Sequence, residues 1–152
     1  MKTFLIFTID KQKFALHLSD VEQIIHCIEI QPLPLAPKHI SGTINFHGEF
    51  LPVVNLRKLF MLKARETELT DQLIIISTSL MKVALWVDAV GEILSLSDEE
   101  VSHSGKIFLD NDFVEGVFNL SDDLVLISDI DKFLTPEQII RLKKALKQAV
   151  KT

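Results

Sequence analysis

Five histidines, one cysteine and 21 carboxylates are the groups from which this chain could assemble a metal centre or an acid–base pair. A structural zinc site needs imidazole and thiolate ligands at short, fixed spacings. His17, His26, His39, His47 and His103 are scattered, with no H-x-x-x-H pair and no cysteine at ligand distance along the chain. Asp110-Asn111-Asp112 opens like a calcium loop, but Val114 and Glu115 stand where the loop needs an oxygen ligand and then a glycine, so a surface turn is expected. Asp129 and Asp131 would share one strand face, yet a catalytic carboxylate pair needs a pocket and unequal surroundings. They are expected to cap the turn before Phe133 and Leu134. Nucleophile-elbow and phosphate-loop glycine motifs are missing, and five glycines leave little material for a phosphate cradle. The chain is therefore read as non-enzymatic, without metal or cofactor. Trp86, among apolar neighbours, is read as packing rather than as a ligand platform.

The elements that would hold these groups are mostly strands. Thr3 to Ile9 is rich in β-branched and aromatic residues, and Phe14, Leu16 and Leu18 alternate with Ala15, His17 and Ser19, which predicts a hairpin across Asp10 to Lys13. Ser19 and Glu22 have capping-box spacing, which predicts a short helix with Val21, Ile24 and Ile25 on one face and His26 at its end. Pro32, Pro34 and Pro37 impose an extended connector. Thr43 to His47 and Glu49 to Leu56 pivot at Gly48 as a second hairpin, with an edge or bulge at Pro52. A helical turn within Arg57 to Leu62 and an exposed loop over Lys63 to Asp71 follow. Gln72 to Ser77 and Lys82 to Val87 make a third hairpin, and Val90 to Leu96 continues extended. Ser97 to Glu100 repeats the capping-box spacing, Ser102 to Lys106 reads as loop, and Phe113 to Leu120 and Leu124 to Ile127 flank the turn residues Ser121 to Asp123. Thr135-Pro136-Glu137-Gln138 is the clearest helix start, with a helix expected over about 136–150 that docks on its own domain. Many short strands and one long helix fit small barrels rather than a parallel α/β sheet, with a vague two-fold similarity on either side of the Lys63 to Asp71 loop.

The 152 residues, 47% hydrophobic and 24% charged, fit a globular body of one domain or two small subdomains with a common core. The apolar runs are far shorter than the roughly 20 residues of a bilayer span, and the N-terminus lacks a cleavage-site pattern, so a cytoplasmic location is expected. The single Cys27 cannot form an internal disulfide, which agrees with a reducing compartment. Net charge is −5, but residues 135–152 hold 5 basic and 1 acidic residue against 11 and 20 in the preceding chain. An acidic body with one basic helix lacks the electrostatic footprint of a nucleic-acid binder.

The stretch from Ile40 to Arg57, reading Ile-Ser-Gly-Thr-Ile-Asn-Phe-His-Gly-Glu-Phe-Leu-Pro-Val-Val-Asn-Leu-Arg, resembles the signature of the CheW coupling proteins, I-x-G-V-I-N-L-R-G-x-x-L-P-V-x-D-L-R. The resemblance continues through Val21 to Ile24 and Leu33 to Pro37 upstream, and through Leu85 to Val90 and Leu126 to Leu134 downstream. It implies a mainly β fold: two five-stranded SH3-like barrel subdomains, intertwined within one domain over residues 1–150, sharing a hydrophobic core, plus a C-terminal helix. It also implies an adaptor that joins the cytoplasmic tip of a chemoreceptor to the regulatory domain of a CheA-type histidine kinase in two-component chemotaxis signalling. Neither nucleic acid nor direct membrane insertion is expected. Candidate receptor-binding residues carried over with the resemblance are Val21, Gln23, Gly42, Asn45, His47 and Val87, while no kinase-binding residue is assigned. His47 stands where the family has arginine and Asn55 where it has aspartate. A paralogue serving a pilus or second-messenger array is one alternative reading, and a small-molecule-binding β-barrel with Trp86 in its pocket is another.

Overall fold

The structure, a computed structural model, describes residues 1–102 and 112–151. These form ten strands, β1 (Lys2–Ile9), β2 (Gln12–His17), β3 (Val21–His26), β4 (Ile40–Phe46), β5 (Glu49–Asn55), β6 (Gln72–Ser77), β7 (Lys82–Val87), β8 (Ala89–Leu96), β9 (Val114–Leu120) and β10 (Asp123–Ser128). A single-turn helix α1 (Leu56–Leu59) and the C-terminal helix α2 (Pro136–Lys151) complete the fold. The strands make two five-stranded sheets, in the orders β8-β1-β2-β10-β9 and β3-β6-β7-β5-β4. Each sheet consists of two antiparallel hairpins joined by one parallel pair, β2 with β10 in the first and β5 with β7 in the second, and each has a fifth strand on one edge.

In both sheets the chain that leaves the edge strand reaches the opposite edge. Gln31, beyond β3, exchanges two backbone hydrogen bonds of 2.7 and 2.8 Å with Thr43 of β4; Ser102, beyond β8, does the same with Val117 of β9 at 2.8 and 2.9 Å. In each sheet the connector beyond one edge strand thus bridges to the opposite edge strand, which occupies edge groups that would otherwise be open to another chain.

The side chains alternate between two kinds of core. Leu5, Phe7, Phe14 and Leu16 of the first sheet face Ile74, Ile76, Val83 and Leu85 of the second in one common cluster, which Phe133, Ile139 and Leu142 cap from the C-terminal end. The intervening residues fill each curled sheet: Phe4, Ile6 and Ala15 with Phe118 and Ile127 in the first, and Leu73, Ile75 and Trp86 with Ile44 and Leu51 in the second. Burial on both faces explains why β1, β6 and β7 read as continuous apolar runs. Among the described residues, no helix is long and apolar enough to cross a membrane.

Several expectations change in detail. The helix expected over Val21 to His26 is a strand paired with β6, preceded by a 3₁₀ turn at Leu18–Asp20. A six-residue helix cannot offset its nucleation cost, and Val21, Ile24 and Ile25 are β-branched, so sheet pairing prevails. Pro52 lies inside an internal strand, where it faces Thr43. The parallel ladder to β7 begins only at Val53, so no ladder bond needs the missing N–H. Asp129 precedes a 3₁₀ turn over Ile130–Lys132 and Asp131 lies within it, where it accepts from the Ser79 N–H at 2.9 Å and so caps the β6–β7 turn rather than its own. The two-fold similarity relates sheet to sheet and does not divide at the Lys63 to Asp71 loop. The calcium-loop reading rests on Asp110 and Asn111, which lie outside the described residues, as does His103.

Candidate partner-docking surface

The β4–β5 hairpin turns through His47 (φ 53°) and Gly48 (φ 85°), the positive pair of a type I′ turn. The Asn45 side-chain oxygen accepts the Gly48 N–H at 2.9 Å and fixes the turn. His47 is exposed, with its ring edge-on to Phe46 at 4.3 Å. β3 enters the same end of the second sheet. Lys82 at the start of β7 contacts Glu22 at 3.0 Å and Glu49 at 3.8 Å, so one ammonium links the Val21–Gln23 segment to the hairpin carrying His47. The Glu22 carboxylate holds the Lys82 ammonium above its usual range.

The structure therefore gathers Val21, Gln23, Asn45 and His47 at one end of one sheet. The other two candidates offer no side-chain surface. Val87 is 0% exposed in the common core. Gly42 is buried, and a Cβ there would lie 2.1 Å from the Gln31 carbonyl oxygen. Neither presents a side chain at the surface. Asn55 is explained locally: its side-chain oxygen accepts the Lys58 N–H at 3.3 Å as the N-cap of α1, a position where asparagine and aspartate serve equally.

Sequence reasoning missed an ionic network that joins the two sheets. The Arg57 guanidinium, 3% exposed, donates to both Asp88 oxygens at 2.8 Å, to Asp10 at 2.8 Å and to the Lys63 carbonyl at 2.9 Å. Arg65 forks onto Asp71 at 2.7 and 2.8 Å and reaches Asp88 at 2.7 Å. Asp71 also accepts the Trp86 indole N–H at 2.8 Å, while Arg65 lies 5.6 Å from that ring. The Lys63 to Asp71 segment is the expected exposed loop, but it is pinned at Arg65 and at Asp71, which is 2% exposed. Burial alone would raise the Asp71 carboxyl, but the hydrogen bonds from Arg65, Glu68 N–H and Trp86 outweigh it and hold the group below the usual range. Hydrogen bonding to Arg57 likewise lowers Asp10. Arg57 closes the signature stretch and Asp88 belongs to the downstream match, but only the folded chain shows that they meet.

Two histidines are structural. His17 pairs with Glu115 and packs on Phe4. His39 is 8% exposed, its ring is held by the Phe133 backbone, and its Nε2 has no partner; burial lowers its pKa. Beside the ionic network lies a cleft of about 620 Å³ walled by Ser41, Lys58, Arg65 and Glu66. Trp86 contributes one edge to it but is 4% exposed and clamped by its indole hydrogen bond, so it offers no stacking face.

A model of the CheW-like domain family matches residues 3–138. The chain belongs to the CheW-like family. Its relatives include the chemotaxis protein CheW of Rhizobium meliloti, 27% identical over 139 residues that cover 90% of each chain. The CheW of Treponema pallidum is 21% identical, covering 90% of this chain and 84% of that one. Among solved structures, the CheW scaffolding protein of Thermoanaerobacter tengcongensis superposes with a TM-score of 0.81 at 25% identity, covering 90% of each chain. The fold is thus the CheW fold: two five-stranded units around a shared core, with a C-terminal helix.

Proposed function

We propose that this chain is a non-catalytic cytoplasmic adaptor that couples the tips of chemoreceptors to a CheA-type histidine kinase. The observation that carries the reading is the match to CheW relatives along nearly the whole chain, together with a solved relative described as a scaffolding protein. Buried Arg57 and Asp71 are held in ion pairs, whereas Gln23, Asn45 and His47 at the hairpin end are exposed beside half-buried Val21. That end would present receptor contacts. A location at membrane-associated receptor arrays follows from the partner and needs no span.

The test is a co-sedimentation assay with a receptor-tip fragment and the kinase regulatory domain; the reading fails if neither binds the folded protein. The His47→Arg substitution adds a permanent charge and a fixed donor fork at the exposed turn. If the turn meets the receptor, one charge-assisted hydrogen bond should tighten binding about tenfold or more. Histidine at this position also favours a second reading, in which the partner belongs to a chemosensory array other than the flagellar one. Tighter binding of the parent than of His47→Arg to such a receptor would support it.

A further inference from the structure

A trough runs between the proline connector and α2. Three cavities of about 250, 280 and 370 Å³ form it, the third joining the other two: it shares Pro32 and Ala149 with the first and Ala145 and Gln148 with the second. Its floor is apolar, with Leu33 and Leu146, and Phe50 at one end is 44% exposed. Arg141 and Lys144 stand on its rim, and no carboxylate lines any of the three cavities. In a chain of net charge −5 this is a local inversion of sign.

Leu35 is the most telling residue. Its φ is +67°, a conformation that costs a leucine free energy and that glycine adopts freely. Its side chain is 73% exposed beside Arg141 and Lys144, so neither backbone preference nor burial accounts for a leucine. An apolar knob held out at a conformational cost is what a docking surface requires.

We infer that this trough is a docking site for an amphipathic helix of a partner protein, with acidic residues flanking an apolar stripe. The positive rim selects acidic flanks, since a basic segment would be repelled here while an acidic one is repelled by most of the remaining surface. A helix fits better than an extended strand. Pro32 and Pro34 have no N–H to offer, and Gln31 already pairs with Thr43 on the β4 edge, so strand addition has no ladder to join. From Arg141 to Ala149 the trough spans about 12 Å of α2, which two turns of a docked helix would match. The trough borders the β4–β5 hairpin, where Phe50 pairs with Asn45, but its floor and basic rim include none of Val21, Gln23, Asn45 and His47, so it does not depend on the receptor assignment.

The test is an anisotropy titration of the intact protein, at low and moderate salt, with three labelled 18-residue helical peptides. One has a leucine stripe flanked by glutamates, one the same stripe flanked by lysines, and one the glutamates with the stripe changed to glutamine. The first should bind at least about tenfold tighter than the others, and more weakly as salt rises. Leu35→Gly, which relieves the backbone and should melt no lower than the parent, is expected to weaken that binding about tenfold. Arg141→Glu with Lys144→Glu should abolish the preference for acid. Equal binding of acidic and basic peptides overturns the inference, as does parent-like affinity in Leu35→Gly. Capture by anionic vesicles in place of the acidic peptide, or self-association that the Arg141 and Lys144 reversal abolishes, would also overturn it.

Discussion

Replacing Gly42 with alanine should open the second sheet at its closing bridge. The added Cβ would sit 2.1 Å from the Gln31 carbonyl oxygen, 2.8 Å from its carbon and 3.0 Å from Ile30 Cγ2, whereas ordinary contact begins near 3.4 Å. Gln31 must therefore retreat by more than about 1 Å, which breaks the paired bonds of 2.7 and 2.8 Å to Thr43. Two backbone hydrogen bonds are worth about 0.5–1.5 kcal/mol each, and holding alanine at φ 152° adds about 1–3 kcal/mol of strain, for a loss of about 2–6 kcal/mol. In a 152-residue chain whose stability is about 5–15 kcal/mol, that corresponds to a melting point lower by about 10 °C or more. The control is Gly48→Ala, at φ 85° with nothing within 4 Å of its Cβ, which should lose only about 1–2 kcal/mol. Urea denaturation followed by the fluorescence of the single tryptophan reads both, and amide exchange at Thr43 reports the bridge itself. The reasoning is refuted if Gly42→Ala melts no lower than Gly48→Ala, or if the Thr43 amide stays protected.

Arg57→Ala should cost about 3 kcal/mol in urea melts by leaving Asp88 and Asp10 without their shared partner; Arg57→Lys should recover only part, since an ammonium cannot reproduce the fork. Because burial lowers the His39 pKa, the unfolded chain takes up that proton first, so its contribution is full above about pH 6.5 and is lost as pH falls through the folded value. Melting temperature should decline from pH 7 to 5, and His39→Gln should flatten that decline while leaving a second loss below about pH 4, where Asp71 is protonated in the unfolded chain before it is in the folded one. Deleting residues 135–152 removes Ile139 and Leu142 from the core at about 1.5–3 kcal/mol each, so stability should fall by about 3 kcal/mol or more, while binding of the kinase regulatory domain persists.

The strands were legible wherever period two or a two-sided apolar run was strong, as in β1, β2, β6 and β7, and α2 was legible because Thr135 and Gln138 cap it reciprocally, at 2.9 and 3.2 Å. β3 was not, because Ser19 and Glu22 imitate a helix start and only pairing with β6, some 50 residues away, decides otherwise. Of the candidate docking residues, the exposure of Asn45 and His47 follows from the hairpin. The burial of Val87 is hidden, since alternation does not say which face lies between two sheets. The Arg57–Asp88–Arg65–Asp71 network was beyond sequence reasoning because its members, apart by 31 and 23 positions around Asp88, meet only when both sheets are in place.

The sheet orders impose a schedule on synthesis. The second sheet is built from one uninterrupted stretch, β3 to β7, whereas the first takes β1 and β2 from the N-terminus and β8, β9 and β10 from the other half of the chain. As the chain emerges from the ribosome at about 5–20 residues per second, β1 and β2 are made before the other described strands, yet they must wait for β10 to complete their sheet. Non-local pairing of this kind is slow. In the interval the β1–β2 hairpin holds Leu5, Phe7, Phe14 and Leu16 ready, and the finished second sheet offers Ile74, Ile76, Val83 and Leu85 as the surface on which they can rest. The common core is then more than a joint between the sheets: it shelters a nascent hairpin until its late partners arrive.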